Sequence, residues 1–137
     1  MGALIAASLR DDYPAKIVTV ISDKPDAKGL EHAREFGIEA LAIPRGDYGS
    51  KAEHEAAVIA ALDASGARII ALAGYMRLLS GDFVRRYAGR MINIHPSLLP
   101  AFPGLATHER ALAAGCRVHG CTVHFVTEGM DEGPIIE

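Results

Sequence analysis

"MINIHPSLLPAFPG", Met91 to Gly104, puts an amide and an imidazole where a buried strand should be apolar. Met91, Ile92 and Ile94 suit a strand of a parallel sheet, which is covered on both faces and normally reads as a continuous apolar run. Asn93 interrupts that run, and His95 and Pro96 end it. In open α/β sheets, ligands bind at the carboxyl ends of the strands. A polar strand end is therefore a candidate site, provided that the rest of the chain builds such a sheet.

Outward from that stretch, strand-like and helix-like segments alternate. "AKIVTVISD" (Ala15–Asp23), "IEALAIP", "ARIIALAG", "RMINIH" and "CTVHFVTEG" have the β-branched, apolar character of strands. Between them lie helical signatures. "ALIAASLR" (Ala3–Arg10) has helical composition, and Pro25 with Asp26 starts a helix that Gly37 stops. "SKAEHEAAVIAALDASG" has Ser50 as cap, Glu53 completing a capping box and Gly66 as terminator. "SGDFVRRYAG" is capped by Ser80, and "LATHERALAAG" stops at Gly115. Strands separated by helices need crossover connections, so the expected fold is α/β, a mainly parallel central sheet with helices on both faces. Residues 1–137 contain neither a repeat nor a linker and are expected to form one domain.

Composition narrows the function. The 137 residues are half hydrophobic, with a net charge of −3, which gives no reason to expect nucleic acid as a partner. The chain lacks an apolar run near the roughly 20 residues that cross a bilayer and a signal-peptide pattern at its start, so it is expected in the cytoplasm. Cys116 and Cys121 are the only cysteines and are expected to be free thiols.

Three polar clusters should meet at the carboxyl edge of the sheet: "GYMRLLS", "NIHPS" and "EGMDEGP". Asn93 and His95 are two residues apart on a strand and so project to one face. An imidazole can give or take a proton near neutrality. A neutral amide beside it can donate to an oxyanion without competing for that proton. Asp131 is the candidate to tune the histidine, because a neighbouring carboxylate favours the imidazolium. Gly129, Gly133 and Pro134 would let its loop reach the pocket. Taken singly, each residue has a bland alternative: His95 as a turn residue, Asn93 as partner to a backbone group. The combination points to acid-assisted attack on a carbonyl and names no substrate.

The other histidines are weighed in the same way. His32 and His54 lie on charge-rich helices and are expected to face solvent; His108 sits at a helix start. His119 and His124 bracket the last strand, and His124 shares a face with Thr122 and Val126, either behind His95 or in the core. Six histidines invite a metal, but neither HxH nor HExxH occurs, and no metal is expected.

"AGYMRLLSGDFVRRYAGRMINIHPSLLPAFPGLATHERAL", followed by "HGCTVHFVTEGMDEGPII", closely resembles the phosphoribosylglycinamide formyltransferases. The likeness is strongest from Ala73 to Ile136 and continues more weakly back to Met1. It implies a Rossmann-like formyltransferase fold that binds 10-formyltetrahydrofolate and glycinamide ribonucleotide and passes the formyl group to the amine, a step of purine (IMP) biosynthesis. It places the family's catalytic asparagine, histidine and aspartate on Asn93, His95 and Asp131. Met76, Arg77, Leu78 and Leu79, with Asn93, would line the folate site, and Lys51 falls where the family has a basic residue near the folate. No metal is implied, and a homodimer is compatible with it. Formyltetrahydrofolate hydrolases share Asn-x-His and a "DEGPII"-like end and form the enzymatic alternative. Methionyl-tRNA formyltransferases match little beyond "LLP" and carry an additional tRNA-binding domain.

The family's first strand and its Gly-rich loop ending in Ser-Asn, which holds the substrate phosphate at a helix N-terminus, would fall just before Met1. Its later strand, helix and ribonucleotide contacts would follow Glu137. The expectation is therefore an incomplete catalytic domain, a fragment of a longer chain. The alternative is a genuinely shortened relative that binds folate without catalysis.

Overall fold

The computed structural model describes residues 1–75 and 77–137. It divides into two compact units, Met1–Ala67 and Arg68–Glu137.

The first unit contains α1 (Gly2–Ser8), β1 (Thr19–Ser22), α2 (Lys28–Glu35), β2 (Glu39–Ala42), a 3-10 turn at Arg45–Asp47 and α3 (Lys51–Ser65). β1 and β2 run parallel, Thr19 opposite Glu39 through Ser22 opposite Ala42, with α2 in the crossover that parallel neighbours require. Ile5, Val20, Leu30 and Ala33 form the core, with Ile17, Ala27, Ile38 and Ala40 packed against it. Removing such apolar surface from water supplies the main drive to fold, about 25 cal/mol per Å² buried.

α3 is held at both ends as its sequence requires. Ser50 Oγ accepts the Glu53 N–H at 3.2 Å. The second arm of the box lands one residue earlier than the pattern suggests: Glu53 Oε2 accepts from the Gly49 N–H at 2.8 Å. Gly66 closes the helix in the left-handed region, φ 67°.

The expectation that His54 faces solvent is wrong. It is buried, and its Nε2–H donates to the Ile43 carbonyl at 2.9 Å while its ring meets Tyr48 edge-on. A carbonyl just past a strand needs a donor when water is excluded, and that demand outweighs the charged neighbours of His54 on the helix. His32 is exposed, as expected.

The second unit contains β3 (Ile70–Leu72), α4 (Gly81–Arg86), β4 (Met91–His95), α5 (Thr107–Ala113) and β5 (Thr122–Phe125). β4 is central. It runs parallel to β3, with Leu72 opposite Asn93, and antiparallel to β5, with Asn93 opposite His124 and His95 opposite Thr122. Ser80 caps α4 by accepting from the Phe83 N–H at 3.2 Å. Phe83, Val84, Tyr87, Met91 and Ala111 are buried, and the Phe83 and Tyr87 rings lie 5.2 Å apart. After β5 the chain turns back and pairs with it again. Phe125 N–H donates to the Pro134 carbonyl at 2.9 Å and Ile136 N–H to the Val123 carbonyl at 2.7 Å. The intervening loop, which carries Asp131, is thus tied down at both ends.

Every expected strand and helix is present, the strands shorter than their apolar runs. Cys116 and Cys121 are exposed free thiols. No helix among the described residues is long and apolar enough to cross a membrane.

Candidate active site

β4 alternates as its sequence demands. Met91 and His95 are buried on one face with Asn93 between them, and Ile94, on the other, is 52% exposed. His95 ends the strand, and the loop that follows closes over it. Its Nε2 donates to the Phe102 carbonyl at 3.0 Å, and its Nδ1 lies 3.3 Å from Asp131 Oδ2. A carbonyl can only accept, so Nε2 carries a hydrogen. The approach to Asp131 becomes a hydrogen bond only when Nδ1 is protonated too, and the ring then carries charge.

Asp131 Oδ2 also accepts the Gly104 N–H at 2.8 Å. One carboxylate oxygen therefore joins the loop after β4 to the loop after β5. Asp131 reaches this place through its own backbone, with φ 55°, a left-handed conformation that aspartate tolerates better than most residues. The flanking glycines were expected to supply the bend. Gly133 serves a different need: a Cβ there would overlap the Phe125 carbonyl oxygen, where the returning chain comes against β5.

Asn93 does not reach Asp131 directly. Its Nδ2 lies 3.3 Å from His124 Nε2, and His124 Nε2 in turn lies 3.8 Å from Asp131 Oδ1. His124 Nδ1 is 2.9 Å from the Phe125 carbonyl. His124 is buried and stands beside Asn93 and Asp131, so its link to His95 runs through Asp131. The antiparallel register that sets it opposite Asn93 is a long-range pairing.

The loop between β4 and α5 is held by buried hydroxyls. Thr107 Oγ1 donates to the Pro96 carbonyl at 2.6 Å, Ser97 Oγ to the Ala101 carbonyl at 2.6 Å, and Thr122 Oγ1 to the Ser97 carbonyl at 2.7 Å. His119 adds a bond from Nε2 to the Pro96 carbonyl at 3.0 Å, and its ring meets that of His108, which is exposed. Arg110 donates to the Pro103 carbonyl at 2.5 Å. The sequence draws attention to His119 and Thr122 but not to this role for them, while the run of Pro and Gly marks the segment as a loop.

The remaining candidates lie elsewhere. Arg77, Leu78 and Leu79 follow β3, whose last residue pairs with Asn93, so their segment starts at the same edge. Leu78 is 60% exposed, and Met76 lies outside the described residues. Lys51 opens α3 in the other unit, where its Nζ is 3.7 Å from Glu55 Oε1.

Comparison with known proteins places the chain in a family. The formyl transferase family matches residues 1–137, spanning both units. Phosphoribosylglycinamide formyltransferase of Bacillus subtilis is 45% identical over 134 residues, which are 98% of this chain and 69% of that protein. The trifunctional purine biosynthetic protein adenosine-3 of Gallus gallus is 46% identical over 98% of this chain, a stretch that covers 13% of its length. Among solved structures, phosphoribosylglycinamide formyltransferase from Brucella melitensis has 57% sequence identity and a TM-score of 0.95, over all of this chain and 70% of that one. The chain thus spans about two thirds of the bacterial relatives and a small part of the multifunctional one. On the match along its whole length, the chain belongs to the formyl transferase family.

Proposed function

We propose that the chain transfers the formyl group of 10-formyltetrahydrofolate to the primary amine of glycinamide ribonucleotide, a step of purine synthesis in the cytoplasm. The observation that carries this reading is the approach of His95 Nδ1 to Asp131 Oδ2 at 3.3 Å, beside Asn93 on the same strand. The formyltransferase names of its relatives support it, and they favour transfer over hydrolysis.

The residues divide the work as follows. The amine nitrogen attacks the formyl carbon, and the carbonyl oxygen becomes an oxyanion. The Asn93 amide and the charged His95 ring donate to that oxygen as the charge develops, where a hydrogen bond is worth most. Nε2 is committed to the Phe102 carbonyl, so Nδ1 is the nitrogen that shares its proton between Asp131 and the oxyanion. Asp131, whose Oδ2 lies 3.3 Å from Nδ1, accepts from the protonated ring and helps carry the proton lost by the amine toward N10 of the folate. The carbon–N10 bond then breaks and tetrahydrofolate leaves. Arg77, Leu78 and Leu79 bind the pterin in this reading, and Met76 and Lys51 are assigned to folate by the family resemblance alone. No step calls on a metal. The two substrates are the only partners the reaction requires, and a homodimer is compatible with it.

The test is to incubate the protein with 10-formyltetrahydrofolate, with and without glycinamide ribonucleotide, and to separate formylated product from formate. Product that depends on the acceptor is expected. Formate released equally without acceptor would overturn transfer in favour of hydrolysis, and bound folate without either product would leave a binding module.

A further inference from the structure

Building on the formyl-transfer reading, we propose that His124 is a positioning residue for that reaction. It fixes which end of the Asn93 amide faces the reacting carbonyl.

The argument follows three contacts in sequence. The Phe125 carbonyl lies 2.9 Å from His124 Nδ1. A carbonyl has no proton to give, so Nδ1 must donate, and in the neutral ring Nε2 is left with its lone pair. That lone pair faces Asn93 Nδ2 at 3.3 Å. An amide nitrogen donates and an amide oxygen accepts, so only the NH₂ end of Asn93 satisfies Nε2. One hydrogen of Nδ2 is used on His124 and the second is left to donate to the oxyanion. Without an acceptor at Nε2 the amide can turn over and present Oδ1, which repels the developing charge instead of stabilising it.

Its surroundings set His124 apart from an ordinary core histidine. It is 3% exposed, so water cannot replace the missing acceptor. It lies directly opposite Asn93 across the β4–β5 ladder, a register that backbone hydrogen bonds enforce. The other group facing Nε2 is Asp131 Oδ1 at 3.8 Å. The same nitrogen therefore stands beside two of the three residues assigned to the reaction, while satisfaction of a buried ring requires only the Phe125 carbonyl and any one partner.

The experiment compares the wild type with His124→Gln and His124→Leu by steady-state transfer kinetics, alongside ¹⁵N spectra of the histidine side chains. Gln keeps an acceptor near the Nε2 position; Leu keeps bulk alone. For His124→Leu, kcat is expected to fall about 30- to 100-fold with both KM values within about threefold, since an interaction made in the transition state is lost. His124→Gln should recover to within about fivefold of wild-type kcat, because the donor–acceptor pairing is restored. Wild-type kcat in His124→Leu, or equal defects in both variants, would overturn the proposal. Should His124→Leu fail to fold, the spectra and His124→Gln decide: a proton on Nδ1 and none on Nε2 supports the proposal, and the reverse tautomer overturns it. Should the wild type transfer no formyl group at all, the function reading fails separately. The spectra then decide whether His124 orients Asn93.

Discussion

His95 Nε2 donates to the Phe102 carbonyl at 3.0 Å, so the ring that ends β4 is clamped by the loop that begins with it. Phe102 adopts φ 55° to offer that carbonyl. Ala106, at φ 53°, and Asp131, at φ 55°, are the other non-glycine residues with positive φ among the described residues. All three lie in the two loops that meet at His95. Each costs on the order of 1 kcal/mol, and the hydroxyl and carbonyl bonds of the loop hold them there.

Ala106 is the exposed member of the three, so its conformation can be relaxed without disturbing buried packing. Replacing it with glycine removes the clash of Cβ with the backbone. Ala106→Gly is expected to stabilise the protein by about 0.5–1 kcal/mol, read as a higher denaturant midpoint at unchanged slope. A lower midpoint would show that the loop is not strained at this residue.

Gly133 tests the opposite case. The Phe125 carbonyl occupies the place a Cβ would take, and that oxygen belongs to backbone that cannot swing aside. Gly133→Ala should cost about 2–3 kcal/mol of stability, as overpacking does in tight interiors. It should also lower turnover by shifting Asp131. A variant with unaltered melting temperature and turnover would contradict the close approach.

In the other unit, Ser50 is expected to behave as a true cap. Ser50→Ala should lower stability by about 1 kcal/mol, because the Glu53 N–H loses its acceptor. The thermal midpoint measures this, and no change would mean that water replaces the hydroxyl.

Much of this arrangement was legible from local pattern. A strand that turns polar at its end, capping residues before helices and glycines after them are signals contained in short windows. Ser50, Ser80, Gly66 and Asn93 with His95 all fall where such windows place them. Long-range needs were not legible. His54 is buried because the carbonyl of Ile43, eleven residues earlier, needs a donor, and nothing near it on the helix records that need. His124 meets Asn93 through a register between strands 31 residues apart. The loop after β4 was recognisable as a loop, but the left-handed conformation of Phe102 follows from its place over His95 and not from its own preference.

The central claim is that Asp131 acts on the reaction through His95 and not on folate binding. The most direct measurement is single-turnover formyl transfer by Asp131→Asn, with the Kd of a folate analogue determined on the same sample. Asparagine keeps the shape and an acceptor for the Gly104 N–H but removes the charge. The account predicts transfer slower by about 10²- to 10⁴-fold, with the Kd within about threefold of wild type. His95→Ala should show the same division. Transfer at a near-normal rate, or a loss confined to folate binding, would contradict it.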